Sequence, residues 1–260
     1  MLTKKQVLKL LKNQEYWAGR LEEIVEEVQR NSGIQEIYRQ AYSEMESEII
    51  ELHKEIVKKG GKVTRTQLYK TKRYKALMDQ IKESSIEISE KVNKAIFESL
   101  ENAYKEAFSE LAVIVAARKF TIVDKKQANT IINTKFYGEH FSDRVWANTR
   151  DIAKRIKNDV ISACVKGTGR DTLVKNIMND FDVAYYKADR IVRTETMRVA
   201  NQSSLQKYKE FGAKKVKWIT SSNACDICKK LNGKLFDIDT VQPIAHPNCK
   251  CTQIPVIEED

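Results

Sequence analysis

The chain has 260 residues, 42% of them hydrophobic and 32% charged, with a formal net charge of +10. That balance excludes a membrane-embedded bundle and a low-complexity disordered chain, and it leaves enough apolar residues for a real core. Basic residues number 10 against 11 acidic in 1–60, 23 against 14 in 61–175 and 13 against 11 in 176–260. The cationic middle suits a polyanion such as nucleic acid, an acidic protein surface, or simply a solvated lysine-rich helix face.

All three prolines (Pro243, Pro247, Pro255) lie in the last 18 residues, so the preceding 242 lack the strongest helix breaker. A mainly α fold is expected, an elongated helical body followed by a small C-terminal α+β module of short strands with a Cys/His cluster. Three regions are anticipated: a long-helix docking region over 1–120, a helical domain over 121–212, and a Cys/His-stapled module over 213–260. The start, MLTKKQVLKLLKNQEYWAGR, is amphipathic and has no small-residue cleavage site. The best apolar run, Leu111 to Ala117, falls well short of the roughly 18 residues a membrane span needs, so neither a span nor an export signal is expected.

In chain order, a first helix is expected from about Thr3 to Arg30, with Leu10, Leu11, Leu21, Ile24, Val25 and Val28 as its apolar stripe, ended by Asn31-Ser32-Gly33. A second runs to about Lys59 and stops at Gly60-Gly61. From Ser84 to Arg118, apolar residues at Ile88, Val92, Ile96, Leu100, Tyr104, Phe108, Leu111 and Val115 recur in steps of four and three. That pattern predicts a rod of about 50 Å with one buried face. Asp124 opens a further helix, 136–143 forms a turn, and a helix over about Arg144 to Lys166 closes at Gly167-Thr168-Gly169. Two helices are then expected, about Asp171 to Asp180 and Ala184 to Phe211, before Gly212. Beyond it, Lys215 to Thr220 alternates like a strand, and Gly233 to Asp237 offers a partner.

Four of the five cysteines cluster at the end, as Cys225-x-x-Cys228 followed by His246-Pro247-x-Cys249-x-Cys251, while Cys164 stands apart. A CxxC turn aims two thiolates at one point, and a second cluster about 20 residues on can complete a tetrahedral zinc site. Five candidates compete for four places: Cys225 and Cys228 with two of His246, Cys249 and Cys251. A structural zinc is the expected cofactor, because so small a tail has little core to hold itself and bound metal contributes on the order of 10 kcal/mol of local folding energy. Disulfides and reduced, packed thiols are the alternatives. His53 and His140 stand alone and suit surface or capping positions.

The second chemical signal is the segment Asp189 to Asn201. Helical spacing places Arg190, Thr194, Arg198 and Asn201 on one polar face and lets Glu195 pair with Arg198, with Arg193 nearby. An Arg/Glu helix of this kind is more often a structural lattice than an active site.

Taken in order, Arg190-Ile191-x-Arg193-Thr194-Glu195-x-x-Arg198-x-x-Asn201, Tyr208-x-x-x-Gly212, Lys217-Trp218-Ile219-Thr220, Cys225-x-x-Cys228-x-x-Leu231-x-Gly233-x-x-Phe236 and His246-Pro247-x-Cys249-x-Cys251 resemble the phage Mu F-like head morphogenesis domain over about 145–257. Ser222-Asn223-Ala224 departs from the pattern, since relatives commonly carry an Asp there. The resemblance implies a minor head protein of tailed phages or prophages, present in the host cytoplasm during assembly and then inside the virion capsid. It further implies association with the portal protein, with scaffold or major capsid protein, and with packaged DNA, in procapsid assembly and in DNA retention or delivery. No membrane partner and no enzymatic activity are implied.

Sequence-neutral phosphate contacts are expected chiefly from Lys62, Arg65, Lys70, Lys72, Arg73, Lys75, Arg118, Lys119, Lys125 and Lys126. Aromatics in that zone (Tyr69, Tyr74, Phe120, Phe136, Tyr137, Trp146) suit buried anchoring better than base stacking. The alternative is a zinc-assisted nuclease or transferase using Arg193, Glu195 and the Cys/His loop, which requires a general base beside the metal and an open cleft.

Overall fold

The structure, a computed structural model, describes residues 13–115, 124–210 and 212–256. Its helices are α1 (Gln14–Asn31), α2 (Ile34–Lys58), α3 (Arg65–Lys70), α4 (Lys72–Val115), α5 (Lys125–Ile132), α6 (Phe141–Lys166), α7 (Arg170–Glu210) and the short α8 (Asp226–Lys229). Its strands are β1 (Lys215–Ile219), β2 (Leu235–Asp237) and β3 (Thr252–Val256). The fold is mainly α with a small antiparallel sheet near the C-terminus, as composition and proline placement require. Thr3, Leu10, Leu11, Ala117, Arg118, Lys119, Phe120 and Phe211 lie outside the described residues.

Two compact units are formed. One draws its described residues from the spans Met1–Ser32, Ile96–Gly138 and Arg190–Asp260, the other from Gly33–Ala95 and Glu139–Asp189. Helices α4 and α7 each contribute to both.

The second unit is an apolar helical assembly. Met45, Ile49, Leu52 and Ile56 on α2, Leu77, Ile81, Ile88 and Val92 on α4, and Val145, Ile152, Ile156 and Val160 on α6 are buried. Its turns are fixed by backbone geometry that only glycine adopts freely. Gly167 caps α6 in the left-handed region, and a Cβ placed there would lie 3.2 Å from the Gly61 carbonyl oxygen. The Val63 amide donates to the Cys164 carbonyl at 3.1 Å. His53 donates from Nε2 to the Thr168 carbonyl at 3.0 Å, and His140 is the N-cap of α6, its Nδ1 accepting from the Ser142 amide.

Besides the short helices α3 and α8, which the sequence reading does not anticipate, three elements depart from the sequence expectations. Helix α4 begins at Lys72 rather than Ser84, because Tyr74, Leu77 and Ile81 extend the same buried stripe toward the N-terminus. The two helices expected between Asp171 and Phe211 are one continuous helix, α7: nothing in 170–210 is glycine or proline, and Ile177, Phe181, Ala184 and Ala188 keep one face buried across the anticipated break. Strand β3 is additional to the expected strand pair. Its Pro255 sits opposite Val216 on an outer strand of the order β2-β1-β3, a place where a missing amide is tolerated.

In the first unit, the sheet packs through Val216, Ile219, Ile238 and Ile254 onto Leu205 and Tyr208 of α7. Helix α1 lies against β3. The tail is thereby seated on the C-terminal part of α7, the helix that carries the polar motif.

Candidate metal centre

Cys225 is the N-cap of α8, and Cys228 is buried within that single turn. The second pair comes from the approach to β3, where Cys249 and Cys251 are both buried. His246 reaches back to the first pair: its Nε2 lies 3.2 Å from Cys225 Sγ and 3.1 Å from Cys228 Sγ. Cys228 Sγ lies 3.6 Å from Cys249 Sγ. The five donors therefore form two overlapping triads, Cys225/Cys228/His246 and Cys228/Cys249/Cys251, with Cys228 common to both.

This donor set fits a thiophilic ion. Zinc–sulfur bonds of about 2.3 Å in tetrahedral geometry put neighbouring sulfurs about 3.8 Å apart, close to the Cys228–Cys249 separation. The imidazole is prepared in the way ligating histidines are. Its Nδ1 lies 2.7 Å from the Pro247 carbonyl oxygen, which only accepts, so Nδ1 carries the proton and the Nε2 lone pair faces the sulfurs.

Proton affinities are uneven across the cluster. The Cys225 thiol is lowered to about 7, chiefly by the Cys228 backbone amide, with the Ile227 amide assisting. Burial and the adjacent Cys249 push Cys228 up to about 12. Cys249 is raised by its hydrogen bond with Cys251 and by burial, while that same bond lowers Cys251. For His246, burial pulls the imidazole down, but the Pro247 carbonyl and the thiols of Cys249 and Cys225 outweigh it and raise its pKa. Cys164 stands apart from these residues, its thiol raised to about 11 by burial.

The polar motif of α7 is the clamp that holds this loop. Thr194 Oγ1 accepts from the Asn248 amide at 3.0 Å while donating to the Arg190 carbonyl at 2.7 Å. Asn248 has a positive φ of 67°, a conformation asparagine tolerates, and the Thr194 bond fixes it between His246 and Cys249. Two turns further along, fully buried Asn201 donates from Nδ2 to the carbonyls of Pro243 (2.8 Å) and Cys251 (2.9 Å). Its Oδ1 accepts from Thr252 Oγ1 at 2.8 Å. Tyr137 adds a tether from outside the loop, its hydroxyl donating to the Ala245 carbonyl at 2.9 Å.

Arg198 anchors α7 to a different element. Its Nε bonds Glu195 Oε2 at 2.7 Å, and its Nη1 and Nη2 donate to the carbonyls of Ile131 (2.8 Å) and Ile132 (3.1 Å). Those carbonyls belong to the last turn of α5, where a helix lacks internal partners for its acceptors. Both Arg198 and Glu195 are nearly inaccessible, with side chains 2% and 1% exposed. Arg193 Nε donates to Gln29 Oε1 at 3.0 Å, Lys250 bonds Glu22, and both contacts tie α1 to the same assembly. Arg190 alone among the motif residues is exposed, so the single polar face drawn from spacing divides into one surface residue and a buried remainder.

The cations expected to meet phosphate are divided between the two units. Lys62, Arg65, Lys70, Lys72 and Lys75 are exposed in one unit, and Lys125 and Lys126 are exposed in the other. Arg73 is engaged by Glu48 at 3.2 Å and Glu55 at 3.9 Å. Tyr74 and Phe136 are buried, whereas Tyr69 and Tyr137 are exposed.

Residues 154–254 match the protein family described as Phage Mu protein F like protein. The matched stretch begins within α6 and ends within β3, so it contains the clamp, the sheet and all five metal-ligand candidates. No curated protein and no solved structure matches the chain. The chain thus carries a Mu F-like segment where its motif order placed one.

Proposed function

We propose that this chain is a non-enzymatic phage minor head protein, acting in procapsid assembly at the portal and in retention or delivery of packaged DNA, with its Mu F-like segment folded around a structural zinc ion. The match over 154–254 supports the head role. The observation that carries the non-enzymatic part is the use made of the polar motif. Thr194, Arg198 and Asn201 are buried and committed to backbone groups, so the segment's most chemically suggestive residues serve as scaffold. Glu195 faces Arg198 in the interior and has no exposed surface to offer a substrate.

Cys225, Cys228, His246 and Cys249 are the proposed ligands, with Cys251 outside the set. Bound zinc would supply cross-linking between the α8 turn and the approach to β3, and its thiolate-rich shell is of the closed, structural kind. Elemental analysis of purified protein should give one zinc per chain, and protein purified free of metal with intact disulfides would replace the zinc by the oxidised alternative.

The assembly role is tested by co-expression with the portal protein of the same phage. Co-elution on size exclusion, and heads that lack this protein failing to assemble or to keep DNA, are the expected results. Normal, DNA-filled, infectious heads without it would remove the role. Metal-dependent plasmid nicking abolished by Glu195→Ala would instead favour the nuclease.

A further inference from the structure

A closed structural zinc site takes four donors, and this cluster gathers five. With Cys225, Cys228, His246 and Cys249 as the proposed ligands, the Cys251 sulfur is left over, yet it lies within 4.8 Å of the Cys228 and Cys249 sulfurs. A spare thiol buried against two ligand thiolates adds nothing to metal binding. It stands where thiol–disulfide exchange needs one, ready to attack a neighbouring disulfide sulfur.

Access is graded across the cluster. Cys225 is exposed, as are Asp226 and Ile227 beside it in the α8 turn, whereas Cys228, Cys249 and Cys251 are each only 1% exposed. An oxidant in solvent therefore meets Cys225 first. Cys228 belongs to both triads, with His246 Nε2 at 3.1 Å and Cys249 Sγ at 3.6 Å. Its sulfur is thus placed to pass a disulfide from the exposed end of the cluster to the buried end.

We infer that the cluster is a redox-exchangeable staple: a hydroperoxide acting at Cys225 releases the ion and leaves a Cys228–Cys251 disulfide that joins the α8 turn to the approach to β3. The inference rests on the structural zinc proposed above and adds a regulation of that same site.

The Cys225 thiolate attacks one oxygen of hydrogen peroxide and the O–O bond breaks. Cys225 sulfenic acid and hydroxide form, the sulfur losing two electrons to the peroxide. The Cys228 thiolate then attacks the Cys225 sulfur, the S–O bond breaks and hydroxide leaves, so the resulting Cys225–Cys228 disulfide removes two donors from the ion. Cys251 gives its proton to hydroxide and attacks the Cys228 sulfur, and Cys225 departs as a thiolate. Metal and disulfide join the same two segments, so the module stays cross-linked while the metal is lost. A reducing cytoplasm favours the metal form and an oxidising medium the disulfide.

The test treats the zinc-loaded full chain with hydrogen peroxide, follows released zinc with a chromogenic chelator, and maps disulfides by trypsin cleavage after free thiols are alkylated. Trypsin leaves Cys225 and Cys228 in peptide 218–229, Cys249 in 235–250 and Cys251 in 251–260. Zinc release with 218–229 joined to 251–260 is expected, and reductant with added zinc should restore the metal form. Cys251→Ser should hold zinc as the parent does and, after peroxide, show only the link internal to 218–229. Zinc retained through oxidation overturns the inference. So does a parent chain in which 218–229 is joined to 235–250, or carries an internal link alone. Loss of zinc in Cys251→Ser before oxidation makes Cys251 a ligand and overturns it as well. Each of these outcomes leaves the structural zinc standing, whereas a parent chain that binds no zinc at the outset removes both.

Discussion

The helical unit and the C-terminal module of the other unit are held together by different means. In the unit built from Gly33–Ala95 and Glu139–Asp189, aliphatic side chains at steps of three and four interlock, and polar groups such as Asn148, which bonds Tyr38 Oη and the Ala184 carbonyl, are additions to an apolar core. In the other unit, the C-terminal module has a small apolar cluster, and its loop is positioned by Thr194, Asn201 and the Cys/His donors. A core distributed over many side chains degrades gradually. A loop fixed by a few directional bonds, and by an ion if the proposed zinc is bound, fails when any of them is removed.

The sharpest way to separate the units is Cys228→Ser, which removes the donor shared by both triads. Loss of metal should withdraw on the order of 10 kcal/mol of local folding energy. Limited proteolysis should then cut within 213–256 while the helical unit stays protected, and equal loss of protection in both would erase the contrast. Low pH acts in the same direction. Cys228, pushed up to about 12, must give its proton to solvent when metal binds, so metal affinity should fall as pH is lowered, with protons released on loading measurable in weak buffer.

Arg198→Met is the next largest perturbation. It strands the buried Glu195 carboxylate and two helix-end carbonyls, and should destabilise by about 3–5 kcal/mol in chemical denaturation. Leu77→Ala supplies the matching change in the apolar unit, at about 2–5 kcal/mol, and its effect should be the same with and without a chelator. Asn201→Ala should cost about 2 kcal/mol and, unlike Leu77→Ala, should also weaken metal retention, because the Pro243 and Cys251 carbonyls lose their shared donor. Equal zinc affinity in the Asn201 variant would show that the clamp does not preorganise the ligands.

Much of this architecture is legible in the residues, for identifiable reasons. The stripe from Ile88 to Phe108 marks α4, the glycines at 60, 61 and 167 mark the ends of its neighbours, and the alternation at Lys215–Thr220 marks β1. Asp124 has the chemistry of a helix start and caps α5 from its side chain. The Cys and His residues stand out because few other roles bring four cysteines and a histidine into 27 residues. A break near 181–183 does not occur because Asp182 is exposed off the buried stripe and Asp180, at its edge, reaches Arg155, leaving the stripe uninterrupted. The net charge of 176–260 stays small because Asp226, Asp237, Asp239, Glu258, Glu259 and Asp260 offset the seven lysines that follow Gly212.

By itself, then, the order of residues determined the helices, the strand pair, the composition of the cluster and the likeness to a Mu F-like segment, because each depends on local spacing or on side-chain chemistry. Tertiary structure alone decided that the α7 motif and the Cys/His loop are a single device, and that Arg198 points into α5 rather than toward a ligand. Hydrogen bonds spanning 42 to 67 positions, such as Asn201 to Pro243 and Arg198 to Ile131, have directions and partners that no periodicity encodes. They exist only once packing has brought distant backbone carbonyls within about 3 Å of a buried donor.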